Sequence, residues 1–392
     1  MCGGLKNTFY SFKRLLGRQL KDVDASVVDR LMYPLFSTNS GFIAVQCPQT
    51  GDLMTPEQLS MLVLGHLIAN TERQIEDVIT GAVVTVPAMA TQDQRSATLA
   101  AAKYAGIDVV HLLQEPVAAA LAYGINGGTD GDTVLVMDVG GGTFDVSILQ
   151  AFEGILEVLG TSGDQNLGGD DIDALVADWI VRELEEKGLD LSAIDESWAL
   201  LAARKAKEAF SVSGSAAVEI PLPRGFPFEE ATTAMQLTLT EDAFNELMLP
   251  LFQRMGIVLE KLGYEYHVEW SISPSSAAME SCNIKDLHVN DTSSESQNKV
   301  PVPPDPWAPP PRRITKVALV GQTTFIPSIR SFAKVLTGVE PSQGVDPSEA
   351  VALGAAIHAG ILVGSLDTCE LMDGSFNATL HSRVSGFTEW QP

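Results

Sequence analysis

The chain has 392 residues, of which 45% are hydrophobic and 19% are charged, which is typical of a globular protein that buries a sizeable core. Its formal net charge of −25 argues against non-specific binding to nucleic acid or to an anionic membrane. It does not argue against a nucleotide ligand, because local backbone amides and a few cations hold a nucleotide whatever the global charge.

The cysteines are typical of an intracellular protein, and the apolar runs are short. Cys2, Cys47, Cys282 and Cys369 have neither C-x-x-C nor metal-ligand spacing, so we expect reduced thiols. No apolar run reaches about 18 residues, so no transmembrane helix is predicted. The first twenty residues are basic but lack a long apolar stretch, so a secretory signal is not expected.

In the first part of the chain, predicted helices alternate with predicted strands. Residues 56–80 predict an amphipathic helix that Pro56 opens, and residues 82–86 and 109–113 predict two strands. Between the strands, Thr91 begins a capping box for a second helix. The apolar residues that recur at helical spacing in the first helix are Leu59, Leu62, Val63, Leu67 and Ile68. This alternation is typical of a parallel α/β segment.

From residue 133 the pattern changes to consecutive strands. TVLVMD and FDVSILQ predict an antiparallel hairpin around a glycine triplet, and ILEVLGTSG continues the meander. The further predicted elements are helices over 171–212, strands at VEIPLP and QLTLT, a helix over 241–263, a strand at 317–320, and helices over 326–337 and 347–362. We expect the regions 133–173 and 317–362 to be parts of two lobes that close on one cleft.

Residues 265–313 interrupt this pattern. The stretch is rich in Ser and Asn and ends in PVPPDPWAPPPRR, which favours polyproline II and cannot donate ladder hydrogen bonds. We expect a loop insertion, and the alternative is a docking site for a proline-recognising domain.

The clearest chemical signal is Asp138-Val-Gly-Gly-Gly-Thr143, a tight turn between two strands. Three glycines let the backbone approach closely and point successive N–H groups at an anion. Asp138 can hold a hydrated Mg²⁺, and the Thr143 hydroxyl can contact a phosphate oxygen or an attacking water. The alternative is an ordinary glycine-rich hairpin. Neither a Walker loop nor a dinucleotide fingerprint fits these residues.

A second glycine pair, Gly168 and Gly169, leads into a helix whose first turn carries Asp170 and Asp171. Alone it predicts a turn with N-capping acids. Beside the first loop it predicts a second wall of the same cleft.

Several motifs together resemble one known family. VMDVGGGTFDVSIL, LGGDDID, VTVPAMATQDQRSAT, QEPVAAALAYGI and VDPSEAVALGAAIHAGIL occur in the order and spacing of the nucleotide-binding domain of heat-shock 70 (DnaK-type) chaperones. The resemblance covers most of residues 7–363 apart from 265–313. It implies an α/β fold, the actin-like or heat-shock-type ATPase fold, with two lobes around a nucleotide cleft. The motif wording is closer to bacterial and organellar members, so the implied compartment is the cytoplasm, a plastid or a mitochondrion.

The resemblance also implies roles for individual residues, with ATP or ADP and Mg²⁺ as cofactors. The implied catalytic residues are Lys13, Glu115, Asp138 and Thr143, and Asp138 is also the implied metal ligand. The implied nucleotide-binding residues are Gly140, Gly141, Gly142, Thr143, Gly169, Lys207, Ser211, Gly321, Gln322, Thr323 and Phe325. Pro87 and Arg95 match the proline and arginine of the family's interdomain switch.

The chain also departs from the family. It lacks the first G-I-D-L-G-T-T hairpin, which supplies the other half of the phosphate clamp, and it lacks the substrate-binding domain. On the adenosine side Arg204 replaces an acid, Gln322 replaces a glycine and Phe325 replaces an arginine, while Ser348 replaces the acid of N-P-D. We therefore expect an ATP-binding chaperone-type protein with weak or no hydrolysis. The alternatives are a pseudo-ATPase that docks co-chaperones or sibling chaperones, and a truncated gene product.

Four segments are predicted. They are a partial ATPase domain over 1–264, the Ser/Pro-rich insertion over 265–313, the C-terminal part of the ATPase domain over 314–363, and an unassigned tail over 364–392. The expected partners are an adenine nucleotide and co-chaperones or other heat-shock 70 chaperones, with no nucleic acid and no membrane.

Overall fold

The computed structural model describes residues 8–23, 28, 31, 33–125, 131–152, 155–188, 197–213, 217–221, 236–282 and 310–365. The helices are α1 (Pro56–Ile75), α2 (Gln92–Tyr104), α3 (Glu115–Ala122), α4 (Gly169–Glu186), α5 (Ser197–Ser213), α6 (Glu241–Tyr266), α7 (Pro274–Ser281), α8 (Pro327–Thr337) and α9 (Ala350–Leu362). The strands are β1 (Leu35–Ser37), β2 (Ile43–Gln46), β3 (Leu53–Met54), β4 (Gly81–Val86), β5 (Val109–Gln114), β6 (Thr133–Val139), β7 (Phe144–Phe152), β8 (Ile155–Asp164), β9 (Ala217–Pro221), β10 (Gln236–Thr240), β11 (Val268–Glu269), β12 (Arg312–Arg313) and β13 (Lys316–Val320). Short 3-10 helices span Phe12–Leu15, Leu20–Asp22 and Gln322–Phe325.

The chain divides into two compact units. Unit 1 comprises Met1–Asp130, Ala151–Glu157 and Gly344–Pro392, and unit 2 comprises Gly131–Gln150 and Val158–Gln343. Both contain helices and sheet, so the predicted α/β class is confirmed. The division into four segments that the composition suggested stays a prediction.

In unit 1, β4 and β5 form a parallel pair, with Gly81 opposite Val109 and Val86 opposite Gln114. The crossover helix α2 begins with the predicted capping box. Thr91 accepts a hydrogen bond from the Gln94 amide, and the Gln94 side chain accepts one from the Thr91 amide. Helix α3 follows β5 without a connecting residue, and α9 packs on α3. The parallel β–α–β arrangement predicted from the alternating pattern is confirmed.

Helix α1 begins at Pro56 as the sequence predicts, but it ends at Ile75 rather than at residue 80, and its apolar stripe is only partly buried. Leu59 is 6% exposed, whereas Leu62, Val63 and Leu67 are 53%, 49% and 55% exposed. The described partners of α1 are α2, the 3-10 helix Phe12–Leu15 and β2. Because they cover the Leu59 side of the helix, Leu62, Val63 and Leu67 face outward, whereas Ile68 is half-buried.

A small antiparallel sheet, β1-β2-β3, completes the described part of unit 1. Tyr33, Val45 and Leu59 form its core. The rings of Phe9 and Tyr10 meet the Tyr33 ring edge-on, with centroids 5.2 Å and 5.5 Å away. Aromatic pairs favour this geometry, and here it anchors the chain just before the 3-10 helix Phe12–Leu15.

Most of the larger sheet lies in unit 2, with the order β13-β6-β7-β8. The predicted hairpin of β6 and β7 is confirmed as antiparallel, with Val139 opposite Phe144, and β8 continues the meander. Strand β13 runs parallel to β6, with Val320 opposite Asp138. The expectation that residues 133–173 and 317–362 lie in different lobes is therefore wrong for β13, whereas α9 does belong to unit 1.

The core of unit 2 is one apolar cluster between this sheet and the helices around it. Its largest fully buried side chains include Phe144, Phe244, Phe252 and Phe332. Such a core holds the ends of β6 and β13 rigidly side by side.

The first residues of the predicted insertion are regular structure. The short strand β11 pairs in parallel with β12, and α7 begins at Pro274 with Ser273 as its N-cap. A serine N-cap followed by proline is a common helix start, which the low apolar content of this stretch obscured. The proline-rich motif, apart from its last residues, and the tail from residue 366 lie outside the described residues.

Within the described residues, no helix is long and apolar enough to cross a membrane. Nor does that part of the chain contain three or more His, Cys, Asp or Glu side chains grouped to hold a metal ion. Of the cysteines, Cys47 and Cys282 lie within it and both are free thiols.

His358 on α9 is expected to make unit 1 less stable in mild acid. Its side chain is 7% exposed, and burial lowers its pKa below the ordinary 6.5, with a further decrease from the charge of His111. As the pH falls, the unfolded chain therefore binds the proton first. The contribution of His358 to the free energy of unfolding is fully present above about pH 6.5. It decreases as the pH falls from there to the pKa that His358 has in the folded protein.

The measurement is the melting temperature between pH 7.5 and 5.5. His358→Gln should show a smaller decrease than the wild type, and His66→Gln, at an exposed position of α1, should follow the wild type. Equal slopes for wild type and His358→Gln would contradict this expectation.

Candidate functional site

Residues 140–143, named here the glycine loop, close the hairpin between β6 and β7. The Gly140 amide donates to the Thr143 carbonyl at 3.0 Å, which makes the turn tight. In the described part of the chain, the amides of Gly141, Gly142 and Thr143 make no hydrogen bond, nor does the Thr143 hydroxyl. Gly141 is exposed and its two neighbours are half-buried. The loop thus offers successive N–H donors, an arrangement that binds anions.

The start of α4 forms a wall behind this loop. The Gly169 amide donates to the Gly140 carbonyl at 3.0 Å, and the Asp170 amide donates to the Gly141 carbonyl at 2.6 Å. A Cβ atom on Gly168 would lie 2.6 Å from the Gly142 nitrogen, so only glycine permits this approach. The start of α4 thus binds two carbonyls of the glycine loop, and the amides of the loop face away from it.

The end of β13 touches the loop from the other side. Thr323 is buried, and its hydroxyl donates to the Gly140 carbonyl at 2.9 Å. Gly321 has φ of 87°, and a Cβ there would lie 2.9 Å from Oδ1 of Asp138. Gln322 and Phe325 are exposed on the 3-10 helix Gln322–Phe325. The structure therefore brings Gly321 and Thr323 to the loop, while the side chains of Gln322 and Phe325 face solvent.

Helix α5 supplies the cations nearest this wall. Lys207 Nζ donates to the Gly169 carbonyl at 2.9 Å and lies 2.7 Å from Oδ1 of Asp173. Arg204 Nε lies 3.2 Å from Oδ2 of the same aspartate. Ser211 bonds back to the Lys207 carbonyl at 3.0 Å, as mid-helix serines often do. Lys207 thus reaches the site, whereas Ser211 bonds within its own helix.

One acid that the sequence reasoning missed lies opposite Asp138. Asp145 pairs with it across the hairpin, and its side chain is buried. Like charges directly opposite each other destabilise a hairpin, whereas a shared cation reverses that effect. Carboxylate oxygens are the ligands that Mg²⁺ prefers. The seven-residue spacing of the two aspartates around a four-residue turn is the signal that identifies the pair.

In unit 1, the structure pairs Lys13 with Glu115. Lys13 Nζ lies 2.8 Å from Oε1 of Glu115. Glu115 is the buried first residue of α3, directly after β5, and Lys13 lies on the 3-10 helix Phe12–Leu15. The lysine side chain is 71% exposed, so the ammonium lies at the surface of this unit with the carboxylate beneath it.

Pro87 and Arg95 also lie together in unit 1. Arg95 donates from Nε to the Ala90 carbonyl at 3.1 Å and from Nη2 to the Ala88 carbonyl at 3.4 Å. Pro87 directly follows β4, so the arginine holds the turn that this proline begins. The two residues that the sequence predicts as a switch are thus joined through one turn.

Comparisons with known proteins agree with these motifs. A family model described as Hsp70 protein matches residues 2–265 and 310–375. The chain is 35% identical to the chaperone protein dnaK3 of Thermosynechococcus vestitus, over 94% of the chain and 48% of that protein. It is 34% identical to the chloroplastic stromal 70 kDa heat shock-related protein of Pisum sativum, over 94% of the chain and 46% of that protein. It is 33% identical to the chaperone protein dnaK of Cyanidioschyzon merolae, over 94% of the chain and 54% of that protein. The chain spans about half the length of the curated relatives it matches.

Proposed function

The chain belongs to the Hsp70 chaperone family, and we propose that unit 2 binds the phosphates of ATP or ADP at the glycine loop. The observation that supports this most is the row of amides at Gly141, Gly142 and Thr143, which have no acceptor within the described residues. Gly142 and Thr143 are half-buried, where an N–H group without a partner is costly, so such a row favours an anionic ligand. The wall that begins at Gly168 keeps this geometry fixed before a ligand arrives.

The residues present also suit a magnesium ion. Asp138 and Asp145 put hard oxygen ligands next to the loop, where a divalent cation would neutralise both the carboxylates and the phosphates. Bound there, Mg²⁺ supplies charge neutralisation for the phosphates. The two aspartates would hold the ion, and the loop amides would orient the phosphate oxygens.

We propose that hydrolysis is slow or absent. Phosphoryl transfer needs metal, phosphate and water held together within fractions of an ångström. The positions that the family uses around adenosine differ here. Arg204 is engaged by Asp173, and Phe325 is 39% exposed. Lys13 and Glu115 keep the residue types that hydrolysis would need.

A docking role without turnover is the second candidate, and the exposed side chains of Gln322 and Phe325 favour it. An exposed aromatic residue on a rigid 3-10 helix is a suitable contact for a partner protein. The partners would be co-chaperones or other Hsp70 chaperones, in protein folding or the stress response. A plastid-type compartment is proposed because the Pisum sativum relative, like heat shock 70 kDa protein 7 of Arabidopsis thaliana, is named chloroplastic.

The test is calorimetric titration of the protein with ADP and ATP in the presence of Mg²⁺. Wild-type protein is expected to bind both, and Gly141→Ala is expected to weaken binding at least tenfold, about 1.4 kcal/mol. A Cβ at Gly141 would have only Asp170 Oδ1 within 4 Å, at 3.9 Å, so the variant should fold normally and its methyl group should occupy the phosphate's space.

The control is Gly65→Ala on α1, where nothing lies within 4 Å, and it should bind nucleotide like the wild type. No wild-type binding at high micromolar nucleotide would sink the proposal. Binding that Gly141→Ala leaves unchanged would place the phosphates elsewhere. Binding with no release of phosphate over hours would support the slow-turnover part.

A further inference from the structure

We infer that Asp173, the last residue of the LGGDDID motif and one to which the sequence assigned no role, is a positioning residue of the glycine loop and acts through Lys207 on the Gly169 carbonyl. Arg204 is the second cation of the same cluster. The inference rests on the proposed function, because it concerns how the loop is held for nucleotide phosphates. Asp173 itself does not touch the loop.

Asp173 is an unusual residue for the inner face of α4. Its side chain is 1% exposed, and on the same helix Ile172 and Val176 belong to the apolar core. Burying a carboxylate costs free energy unless cations and donors surround it. Both oxygens have a cation beside them, because Arg204 Nε donates to Oδ2 at 3.2 Å and Lys207 Nζ lies 2.7 Å from Oδ1, an ion pair without hydrogen-bond geometry. Lys207 is therefore fixed by the carboxylate and has little freedom of its own.

A short series of bonds leads from this carboxylate to the loop. Lys207 Nζ donates to the Gly169 carbonyl at 2.9 Å, and the Gly169 amide donates to the Gly140 carbonyl at 3.0 Å. The Thr323 hydroxyl binds the same carbonyl at 2.9 Å. Asp173 thus fixes the lysine, the lysine fixes the start of α4, and α4 fixes the loop. If the first link is lost, the loop amides lose their orientation toward an anion.

Arg204 balances the charge at this wall. Its Nη2 lies 3.8 Å from Oδ1 of Asp170, in addition to its contact with Asp173, and its side chain is half exposed. Two aspartates then face two cations, Arg204 and Lys207. The acid that the family resemblance expects at position 204 would instead put a third carboxylate beside the other two. Arg204→Glu should therefore weaken nucleotide binding more as the number of phosphates increases, because the repulsion acts on charge.

The experiment compares Asp173→Asn with Asp178→Asn, an exposed position on the same helix. Binding of ADP and of adenosine is measured by calorimetry, and melting is followed in parallel. For Asp173→Asn we expect ADP affinity to fall at least tenfold and adenosine affinity to change less than about threefold, since only the phosphates depend on the loop. Asp178→Asn should match the wild type for both ligands.

Because Asp173→Asn removes one partner of a buried ion pair, a second comparison covers the case in which it folds poorly. Lys207→Met and the double variant Asp173→Asn/Lys207→Met are titrated with ADP, and the double variant should bind no more weakly than Lys207→Met alone. Additive losses, or equal losses for ADP and adenosine, would overturn the inference while leaving the proposed function intact. Wild-type protein that binds no ADP would overturn both.

Discussion

Gly354→Ala is expected to destabilise unit 1 by about 3 kcal/mol, the upper end of what overpacking usually costs. Gly354 lies in the middle of α9, where that helix crosses α3. A Cβ atom at this position would collide with the carbonyl group of Ala118, which belongs to the backbone of α3 and cannot rotate away. The two helices must separate to admit the methyl group, and the tightly packed alanines of α3 lose their contacts.

The matched control is the same substitution in α1. Gly65 also lies inside a helix, but nothing is found within 4 Å of its Cβ position. Gly65→Ala should therefore stabilise the protein by roughly 0.5–1 kcal/mol, because alanine loses less backbone freedom in a helix. Urea and thermal unfolding of both variants would measure the difference. If Gly354→Ala were as stable as Gly65→Ala, α9 and α3 would not be in close contact at this position.

The sequence predicted most of what is local in this fold. The capping box at Thr91 and the glycine turn at residues 140–142 are formed as predicted, because a few neighbouring residues determine each of them. The α/β class followed from the same local signals. The positions of most helices and strands could be predicted from the spacing of the hydrophobic residues alone.

What the sequence did not predict depends on contacts between distant segments. An apolar strand pattern marks β13 as a strand but does not say that it lies beside β6, about 180 residues earlier. The exposure of most of the apolar stripe of α1 could not be predicted for the same reason. An apolar stripe shows which residues a helix can bury, but it does not show whether a partner covers them.

The candidate site follows the same division. The Gly140–Thr143 turn was predicted from neighbours in sequence, whereas the support of Gly140 by Thr323 joins residues 183 positions apart. Asp145 was within reach of prediction, because the turn length sets which residues of a hairpin face each other. Asp173 was not, since a buried aspartate cannot be told from an exposed one by spacing alone.

Gly321→Ala is expected to have the largest effect on the nucleotide site. Gly321 has φ of 87° and ψ of 146°, a conformation that residues with a side chain adopt at a cost of about 1–3 kcal/mol. A Cβ there would also collide with the Val139 carbonyl and lie 2.9 Å from Oδ1 of Asp138. We expect a loss of about 3 kcal/mol in unfolding free energy and at least a tenfold loss of ADP affinity.

The control separates the backbone conformation from the close contact. Gly106 has a similar φ of 91°, but nothing lies within 4 Å of its Cβ position. Gly106→Ala should therefore cost only about 1 kcal/mol, from its conformation alone, and should leave ADP affinity unchanged. The two variants are compared by urea unfolding and by ADP titration. If Gly321→Ala lost only as much as Gly106→Ala, β13 would not lie against the end of β6. If it lost stability but kept ADP affinity, Asp138 would not act at the nucleotide, and the metal role proposed for it would fall.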